Sequence, residues 1–171
     1  MGDIFKEQIV KRQPSRKDML IRIGLIIVVF LIILIVLAMP GLMTFAPIIV
    51  LAVIFGAWYA MSFLKVEYEY AFTDGELDID VIYNRSRRKR VFSARVNDFI
   101  IMAHVEDTAH AGEFQGAQDF KDYSSGVVSA DTYAFLTNYN GKRTKIIIDP
   151  NPVMLKAMAG VLTRRRLHVK L

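Results

Sequence analysis

Few side chains in this sequence are spaced so that they could act on a substrate or hold a metal ion. Imidazole and carboxylate groups of the kind that bind zinc cluster in one short stretch, at His104, Glu106, Asp107 and His110. These residues straddle the end of a predicted strand and a loop, so they lack the i, i+4 spacing that places two ligands on one helical face. We therefore predict ordinary surface residues here and no metal site.

Three further patterns resemble fragments of catalytic or phosphate-binding motifs. Ser124-Ser125-Gly126 does not match a nucleophile elbow, and Gly112–Ala117 has two glycines without a phosphate-binding lysine. Asp78 and Asp80 lie two apart on one predicted strand and so share a face, which suits the solvated side of a sheet better than an acid–base pair. The sequence thus predicts no catalytic residues, no cofactor and no enzyme.

A run of cations carries the strongest chemical signal, and it consists of Arg85, Arg87, Arg88, Lys89 and Arg90. Each lysine or arginine close to an anionic bilayer contributes on the order of 1 kcal/mol to membrane binding. We predict that the run contacts the membrane surface, because the strand before it should return toward the bilayer. A solvated hairpin end is the alternative. Nucleic-acid binding is disfavoured, since no aromatic residues for base stacking are interleaved with the cations.

Two apolar runs, Ile23–Met39 and Leu42–Leu64, lie almost end to end, with only Pro40-Gly41 between them. Neither run contains a charged residue. At about 1.5 Å per residue each can cross a hydrocarbon core of about 30 Å, the first with help from the residues just before it. The sequence therefore predicts a transmembrane helical hairpin over residues 19–64. A cleaved signal peptide is disfavoured, because a second run follows and no clear cleavage site is present.

Lysine and arginine lie on both flanks of this apolar region and are missing from its tip. The cations before the first run are Lys6, Lys11, Arg12, Arg16, Lys17 and Arg22, and Lys65 and the basic run follow the second. The positive-inside rule then predicts a cell-membrane protein with two spans and both termini in the cytoplasm. The chain has no cysteine, which fits a reducing compartment.

Small residues repeat every four positions in the second apolar run, at Ala52, Gly56 and Ala60. This spacing lets transmembrane helices approach closely, so we predict packing against the first span. A homo-oligomer interface is the alternative. Neither run contains a charge that could line an ion or proton pathway, which disfavours transport.

The polar remainder of the chain alternates like a set of β-strands. Predicted strands cover Val66–Phe72, Leu77–Tyr83, Arg90–Ala94, Asp98–Val105, Thr132–Thr137 and Thr144–Ile148. Asp74-Gly75 and Asn140-Gly141 are two-residue hairpin turns, because these residue types tolerate positive φ. Residues 106–130 are expected to form a long loop or a pair of short strands.

A helix closes the pattern, with Asn151 as its N-cap and Pro152 at its first position. Its apolar face is Met154, Leu155, Met158, Val161 and Leu162, followed by the cationic Arg164–Arg166 and a short edge strand at Leu167, Val169 and Leu171. At the other end of the chain, residues 1–18 form a basic tail. That tail is either solvated or a short membrane-surface helix with Ile4, Phe5, Ile9 and Val10 on one face.

This layout resembles small Gram-positive bacterial membrane proteins of uncharacterised function, which have two spans and then a domain like pleckstrin-homology (PH) domains. Val66–Phe99 and Ile146–Met158 carry the resemblance. It implies an α+β protein with a cytoplasmic tail (1–18), a membrane hairpin (19–64) and a PH-like antiparallel sheet or partial barrel capped by a C-terminal helix (65–171). The loop Thr73–Glu76 is acidic and short, which speaks against a phosphoinositide pocket of the PH type.

A PH-like fold implies binding or scaffolding. The leading hypothesis is a membrane-anchored cytoplasmic adaptor that binds a protein or peptide partner and is steadied by its basic loop on anionic lipid. A sensor of anionic headgroups and an accessory subunit of a larger membrane enzyme or transporter are the alternatives.

Overall fold

The structure is a computed structural model that describes residues 5–162 and 167–168. Its strands are β1 (Phe5–Lys11), β2 (Val66–Thr73), β3 (Glu76–Tyr83), β4 (Arg87–Arg95), β5 (Phe99–His104), β6 (Asp119–Asp122), β7 (Tyr133–Tyr139), β8 (Lys142–Ile148) and β9 (Leu167–His168). Its helices are α1 (Arg16–Ala38), α2 (Ala46–Ser62) and α3 (Pro152–Val161). Two compact units result, a helical unit over Pro14–Val66 and a sheet domain made of Met1–Gln13 and Glu67–Leu171.

The sheet domain is split in sequence, because its first strand precedes the helical unit. β1 pairs antiparallel with β2 over seven residue pairs, from Phe5 opposite Thr73 to Lys11 opposite Glu67. The predicted boundaries are therefore corrected: residues 5–11 belong to the sheet and not to a tail of residues 1–18. Local spacing could not reveal this, because the partner strand lies beyond both helices. Ile4, part of the predicted helical face, lies outside the described residues.

The first sheet has the order β1-β2-β3-β4. β2 and β3 are joined by the predicted Asp74-Gly75 turn, whose φ angles are 48° and 89°. The inner face of this sheet contributes five fully buried side chains to the core, which are Tyr70, Phe72, Leu77, Ile79 and Phe92. The register between β3 and β4 shifts by one residue after Ile79, so that Val91 forms a bulge.

The second sheet has the order β6-β8-β7-β5-β9. β5, β7 and β8 pair antiparallel, but β6 runs parallel to β8 and β9 runs parallel to β5. The prediction of a purely antiparallel sheet is therefore wrong for this half. The ambiguous stretch 106–130 contains β6 and a 3₁₀ helix at Ala111–Gly116. Val169 and Leu171, predicted to continue the edge strand, lie outside the described residues.

The helix α3 follows the prediction closely. The Asn151 side chain accepts a hydrogen bond from the backbone N–H of Met154 at 2.8 Å, and Pro152 is the first helical residue. Met154, Leu155, Met158 and Leu162 are buried, so the predicted apolar face is the packed one. The cations Arg164–Arg166 lie outside the described residues.

The helical unit is a pair of packed apolar helices. α1 begins in a capping box between Ser15 and Asp18 and ends just before Pro40, which disfavours a helical residue ahead of it. α2 begins at Ala46, next to Pro47, and not at Leu42. By length and composition, α1 is the helix among the described residues that could cross a membrane, while α2, with 17 residues, is shorter.

Candidate functional site

The basic run forms the β3–β4 turn and the first half of β4. Asn84 and Arg85 occupy the turn with φ angles of 48° and 57°, and the backbone N–H of Ser86 donates to the carbonyl of Tyr83 at 3.1 Å. Arginine rarely adopts positive φ, and here the turn geometry requires it. The remaining cations of the run lie on β4, an edge strand of the first sheet.

The basic turn lies at the end of the sheet from which the chain leads into the helices. Arg85 Nε lies 3.4 Å from the Glu67 carboxylate. Glu67 stands at the start of β2 and is the register partner of Lys11, the last residue of β1. The Asp74-Gly75 turn, which joins the far ends of β2 and β3, is at the opposite end of the sheet.

Two further cations of the run are held by carboxylates of β2 and β3. Arg88 lies 2.9 Å from the buried carboxylate of Glu69 on β2. The Arg90 guanidinium bridges the carboxylates of two β3 residues, at 3.0 Å from Asp78 and 3.3 Å from Asp80. These two aspartates are half-buried and bind Arg90, so they are not the fully solvated side chains that the sequence predicted.

Arg87 and Lys89 alternate with the paired arginines and point to the other face of β4. Their register partners are Tyr83 and Val81, which carry no charge, and both cations are exposed. Within residues 5–162 and 167–168, neither has an ion-pair partner. Of the five predicted contact residues, these two are therefore the ones whose charge no nearby carboxylate offsets.

Two tyrosines hydrogen-bond to the bulge at Val91, which lies on β4 between the cations and the buried Phe92. The hydroxyl groups of Tyr123 and Tyr139 both donate to the carbonyl oxygen of Val91, each at 3.3 Å. Burial raises the pKa of Tyr123 to about 12, because the phenolate would lose its hydration. The hydroxyl donor is therefore retained throughout the neutral range.

A set of hydrogen bonds, here called the polar junction, links Gln8 on β1 and Tyr70 on β2 to the segments at Tyr123 and Asp149. Gln8 on β1 donates from its amide to the carbonyl of Asp149 at 2.8 Å and accepts from the backbone N–H of Asn151 at 2.7 Å. Tyr70 on β2 donates to the carbonyl of Tyr123 and accepts from the backbone N–H of Asp149 at 3.2 Å. Nothing near Gln8 in the sequence signals its long-range partners, so its role could not be predicted.

His104, part of the histidine and carboxylate stretch seen in the sequence, has both ring nitrogens occupied. Its Nε2 donates to the carbonyl of Ser129 at 2.9 Å, and its Nδ1 accepts from the backbone N–H of Glu106 at 3.3 Å. It also packs edge-on against Tyr133. His104 is thus a structural residue whose two ring nitrogens are both hydrogen-bonded, and it has no lone pair free for a metal ion.

His110 has a different environment. Its Nδ1 donates to the Asp107 carboxylate at 2.8 Å, and this hydrogen bond holds the pKa of Asp107 below its usual range. The ring stacks on that of His168, with centroids 3.5 Å apart. One ligand atom each from His110, Glu113 and His168 lies within 4.8 Å of the other two. These three residues are the histidine cluster. The sequence does not indicate this cluster, because His168 lies far along the chain from the other two residues.

A cleft of about 680 Å³ adjoins this cluster. It is lined by His104, Glu106, Asp107, Thr108, Ala130, Tyr133 and His168. Carboxylate, imidazole and hydroxyl groups thus meet at one edge of the second sheet, beside β5 and β9. The cleft thus brings His104, Glu106 and Asp107 next to His168, which the sequence pattern did not connect with them.

The small residues of α2 lie away from α1. Ala52, Gly56 and Ala60 are exposed, and a methyl group added at Gly56 would meet no atom within 4 Å. Val53, Ala57 and Met61 are half-buried and share the other face of α2, and Ile49 and Val50 nearer its start are half-buried as well. The predicted packing of the small-residue stripe against the first span is therefore corrected. The half-buried face makes that contact, and the stripe is left uncovered in the helical unit.

The first hairpin loop, where PH domains bind phosphoinositides, lines a shallow acidic pocket. This pocket of about 490 Å³ is bordered by Asp74, Glu76 and Asp78, with Arg95 as its cation. Three carboxylates disfavour a phosphate group electrostatically. The geometry is consistent with the expectation that no phosphoinositide site of the usual kind occurs here.

Comparison with known families identifies the pattern as a whole. A family model described as "Bacterial PH-like domain (DUF6106)" matches residues 2–167. The match includes the strand before the helices, the helical unit and the sheets after it, so the split arrangement lies inside one family pattern. No curated protein and no solved structure matches the chain.

Proposed function

The chain belongs to the family of bacterial PH-like domains, and we propose that it is a membrane-anchored adaptor that binds a protein or peptide partner at the inner leaflet of the cell membrane. The observation that carries the proposal is the pairing of β1 with β2 around the helical unit. Because of this pairing, the chain segments before and after the helical pair belong to one domain. A binding module held in this way can keep its partner at the bilayer.

The pairing also supports two membrane crossings. Two strands of one sheet must lie on the same side of a membrane, so a chain that crosses in α1 must cross back before β2. α2 has 17 residues, which is about 25 Å of helix and the lower end of the usual range for a span. The apolar residues on both sides of it add length. The cations before α1 and after α2 favour the cytoplasmic side for the sheet domain.

Short connections support a role for the basic turn at the lipid surface. Only four residues join β1 to α1 and only three join α2 to β2. The turn at Arg85 shares this end of the first sheet through its contact with Glu67. Arg87 and Lys89, which no carboxylate offsets, are the cations we expect to meet anionic headgroups.

The lipid contact is tested on the full chain in nanodiscs. Because the chain has no cysteine, Ser86→Cys introduces a single thiol for an environment-sensitive fluorophore beside the basic turn. We expect a blue-shifted emission in anionic nanodiscs relative to neutral ones. The shift should disappear in 1 M salt, where the Debye length is about 3 Å.

Thr73→Cys provides the matched control, because Thr73 is exposed at the opposite end of the first sheet. Its emission should not depend on lipid charge. Adding Arg87→Gln and Lys89→Gln to the Ser86→Cys variant should abolish the shift. An emission at position 86 that ignores lipid charge would rule out the electrostatic contact. A response to one anionic headgroup and not to another of equal charge would favour the lipid-sensor alternative.

The partner-binding role is tested on the exposed edge of β4. Edge strands bind extended peptides by adding a strand, and β4 has no neighbour on its outer side among the described strands. A photo-crosslinking residue at Ser93 in the middle of β4 should give a discrete protein adduct in cells. The same residue at Phe120 on the edge strand β6 should not. Equal labelling from both positions, or none, would contradict binding at this edge.

An accessory-subunit role is a second candidate, favoured by the uncovered small-residue face of α2. Small residues at this spacing support close helix contacts in membranes. Gly56→Leu should then dissociate a complex that survives mild detergent, while Leu51→Ala on α2 should not. Unchanged migration of the Gly56→Leu complex would exclude this face.

A further inference from the structure

We propose that His110, Glu113 and His168 bind a divalent transition-metal ion such as Zn²⁺, and that Asp107 positions His110 for this role. Two imidazoles and one carboxylate form a common zinc donor set, with a fourth position left for water or another ligand. Ligand atoms in a tetrahedral zinc site lie about 3.3 Å apart, given metal–ligand bonds of about 2.0 Å. The ligand atoms of the three side chains, now within 4.8 Å, need to close by no more than about 1.5 Å, and the two stacked imidazole rings need to turn so that their lone pairs point at one ion.

Two of the ligands are held together by the 3₁₀ helix at Ala111–Gly116. His110 is its N-cap and Glu113 follows three residues later, and side chains at this spacing eclipse each other in a 3₁₀ helix. The backbone N–H of Glu113 donates to the carbonyl of His110 at 3.0 Å. Phe114 anchors the same helix under the ammonium group of Lys145, at 4.9 Å.

The third ligand comes from the far end of the chain. β9 pairs with β5 so that His168 lies opposite Ala103, one residue before the end of β5. A bound metal ion would therefore tie the last described strand to the 3₁₀ helix, and so close the edge of the second sheet. A link between such distant segments stabilises the folded chain, because the unfolded chain lacks a preformed site.

Hydrogen bonding distinguishes His110, which keeps one ring nitrogen free for a metal ion, from His104, which does not. Asp107 accepts the proton on His110 Nδ1, which leaves the lone pair on Nε2 free for a metal ion. Metal-binding histidines commonly donate their other N–H to a carboxylate in this way. His104, which lines the neighbouring cleft, uses both nitrogens in hydrogen bonds. His104 is therefore a nearby histidine that can serve as a control for the cluster.

The experiment uses the full chain in detergent, purified without a polyhistidine tag. Calorimetric titration with Zn²⁺ should give one site per chain. Co²⁺ as a spectroscopic probe should give visible absorption bands of a low-coordinate nitrogen and oxygen site. His110→Gln, Glu113→Gln and His168→Gln should each weaken Zn²⁺ binding at least tenfold. Asp107→Asn should weaken it by about tenfold to a hundredfold, as expected for a residue that orients a ligand.

His104→Gln is the matched control and should keep the affinity of the natural chain. Zn²⁺ should also raise the melting temperature of the natural chain and of His104→Gln, but not that of His168→Gln. Absence of Zn²⁺ binding to the natural chain would overturn the proposal, and so would equal losses in His104→Gln and His110→Gln. The Co²⁺ spectrum of the natural chain depends on no variant, so a variant that fails to fold cannot hide a negative result. None of these outcomes depends on the adaptor role.

Discussion

The basic strand β4 and the histidine cluster are both groups of ionisable side chains on the sheet domain, and they differ in how carboxylates are used. On β4, the carboxylates of Glu69 and Asp78 contact the arginines that the sequence offers as lipid ligands. In the cluster, Asp107 holds one nitrogen of His110 and leaves the other free. Whether a ligand can bind a side chain therefore depends more on the partners that the side chain already has than on its charge.

The largest expected difference between the two regions is their response to acid. An imidazole binds a metal ion only without its proton, because the proton and the metal ion compete for the same lone pair. Lowering the pH from about 7 to about 5.5 should therefore weaken Zn²⁺ binding, as measured by calorimetry. Arginine and lysine stay protonated in this range, so the lipid response of the probe at position 86 should persist. A zinc affinity that is the same at both pH values would contradict the two-imidazole site.

A large effect on stability is expected from the polar junction that Gln8 forms. Gln8→Ala leaves the carbonyl of Asp149 and the backbone N–H of Asn151 without their partner. We expect a loss of about 1–3 kcal/mol in the free energy of unfolding, measured with denaturant. Glu7→Ala, an exposed neighbour on β1, should change it by less than about 0.5 kcal/mol.

The zinc affinity of the folded Gln8→Ala variant should be unchanged, since the cluster lies on the second sheet. A parallel loss of stability and affinity would show that the cluster also depends on the closing strand. Equal effects of Gln8→Ala and Glu7→Ala would mean that the junction contributes nothing.

Alkaline pH should lower the stability of the sheet domain through Tyr123, whose hydroxyl group donates to β4. Burial raises the pKa of Tyr123 to about 12 in the folded chain, against about 10 when unfolded. Its contribution to stability is therefore complete below pH 10 and is lost as the pH rises toward 12. The midpoint of thermal unfolding should fall over this range, and less steeply in Tyr123→Phe. Burial also raises the pKa of Tyr70, so a decline remains in that variant. Identical slopes in both proteins would contradict the role assigned to Tyr123.

The smallest effects should come from single cations of β4. Arg90→Gln removes the partner of Asp78 and Asp80 and should cost up to about 1 kcal/mol of stability, because exposed ion pairs contribute little. Lys89→Gln should leave stability unchanged and reduce the lipid response instead. Thermal unfolding and the fluorescence assay together separate the two roles. A larger loss of stability in Lys89→Gln would reverse this assignment.

Features that depend on neighbouring residues were predictable from the sequence. Asp74-Gly75 and Asn140-Gly141 form the expected turns with positive φ, and Asn151 caps α3 as expected. The alternating strands from Val66 to Tyr83 also lie where their pattern placed them. In each case the cause is a steric or hydrogen-bonding preference that acts over a few residues.

Other features could not be predicted, because their partners lie far along the chain. β1 carries no clear strand pattern and is ordered by β2, which follows two helices. The small residues of α2 matched a packing motif, but the side chains of Val53, Ala57 and Met61 fill the contact instead. Spacing along one helix cannot tell which of its faces a second helix will cover.

The apolar helices, the hairpin turns, the capped final helix and the abundance of cations at β4 all follow from the sequence alone. The folded structure was needed to show that the strand before the helices pairs with the strand after them, which arginines are paired, and that His110 stacks on His168. The physical reason is that pairing depends on contacts between distant segments. Composition and periodicity record how each segment folds locally, and they carry no record of which other segment satisfies its hydrogen bonds and charges.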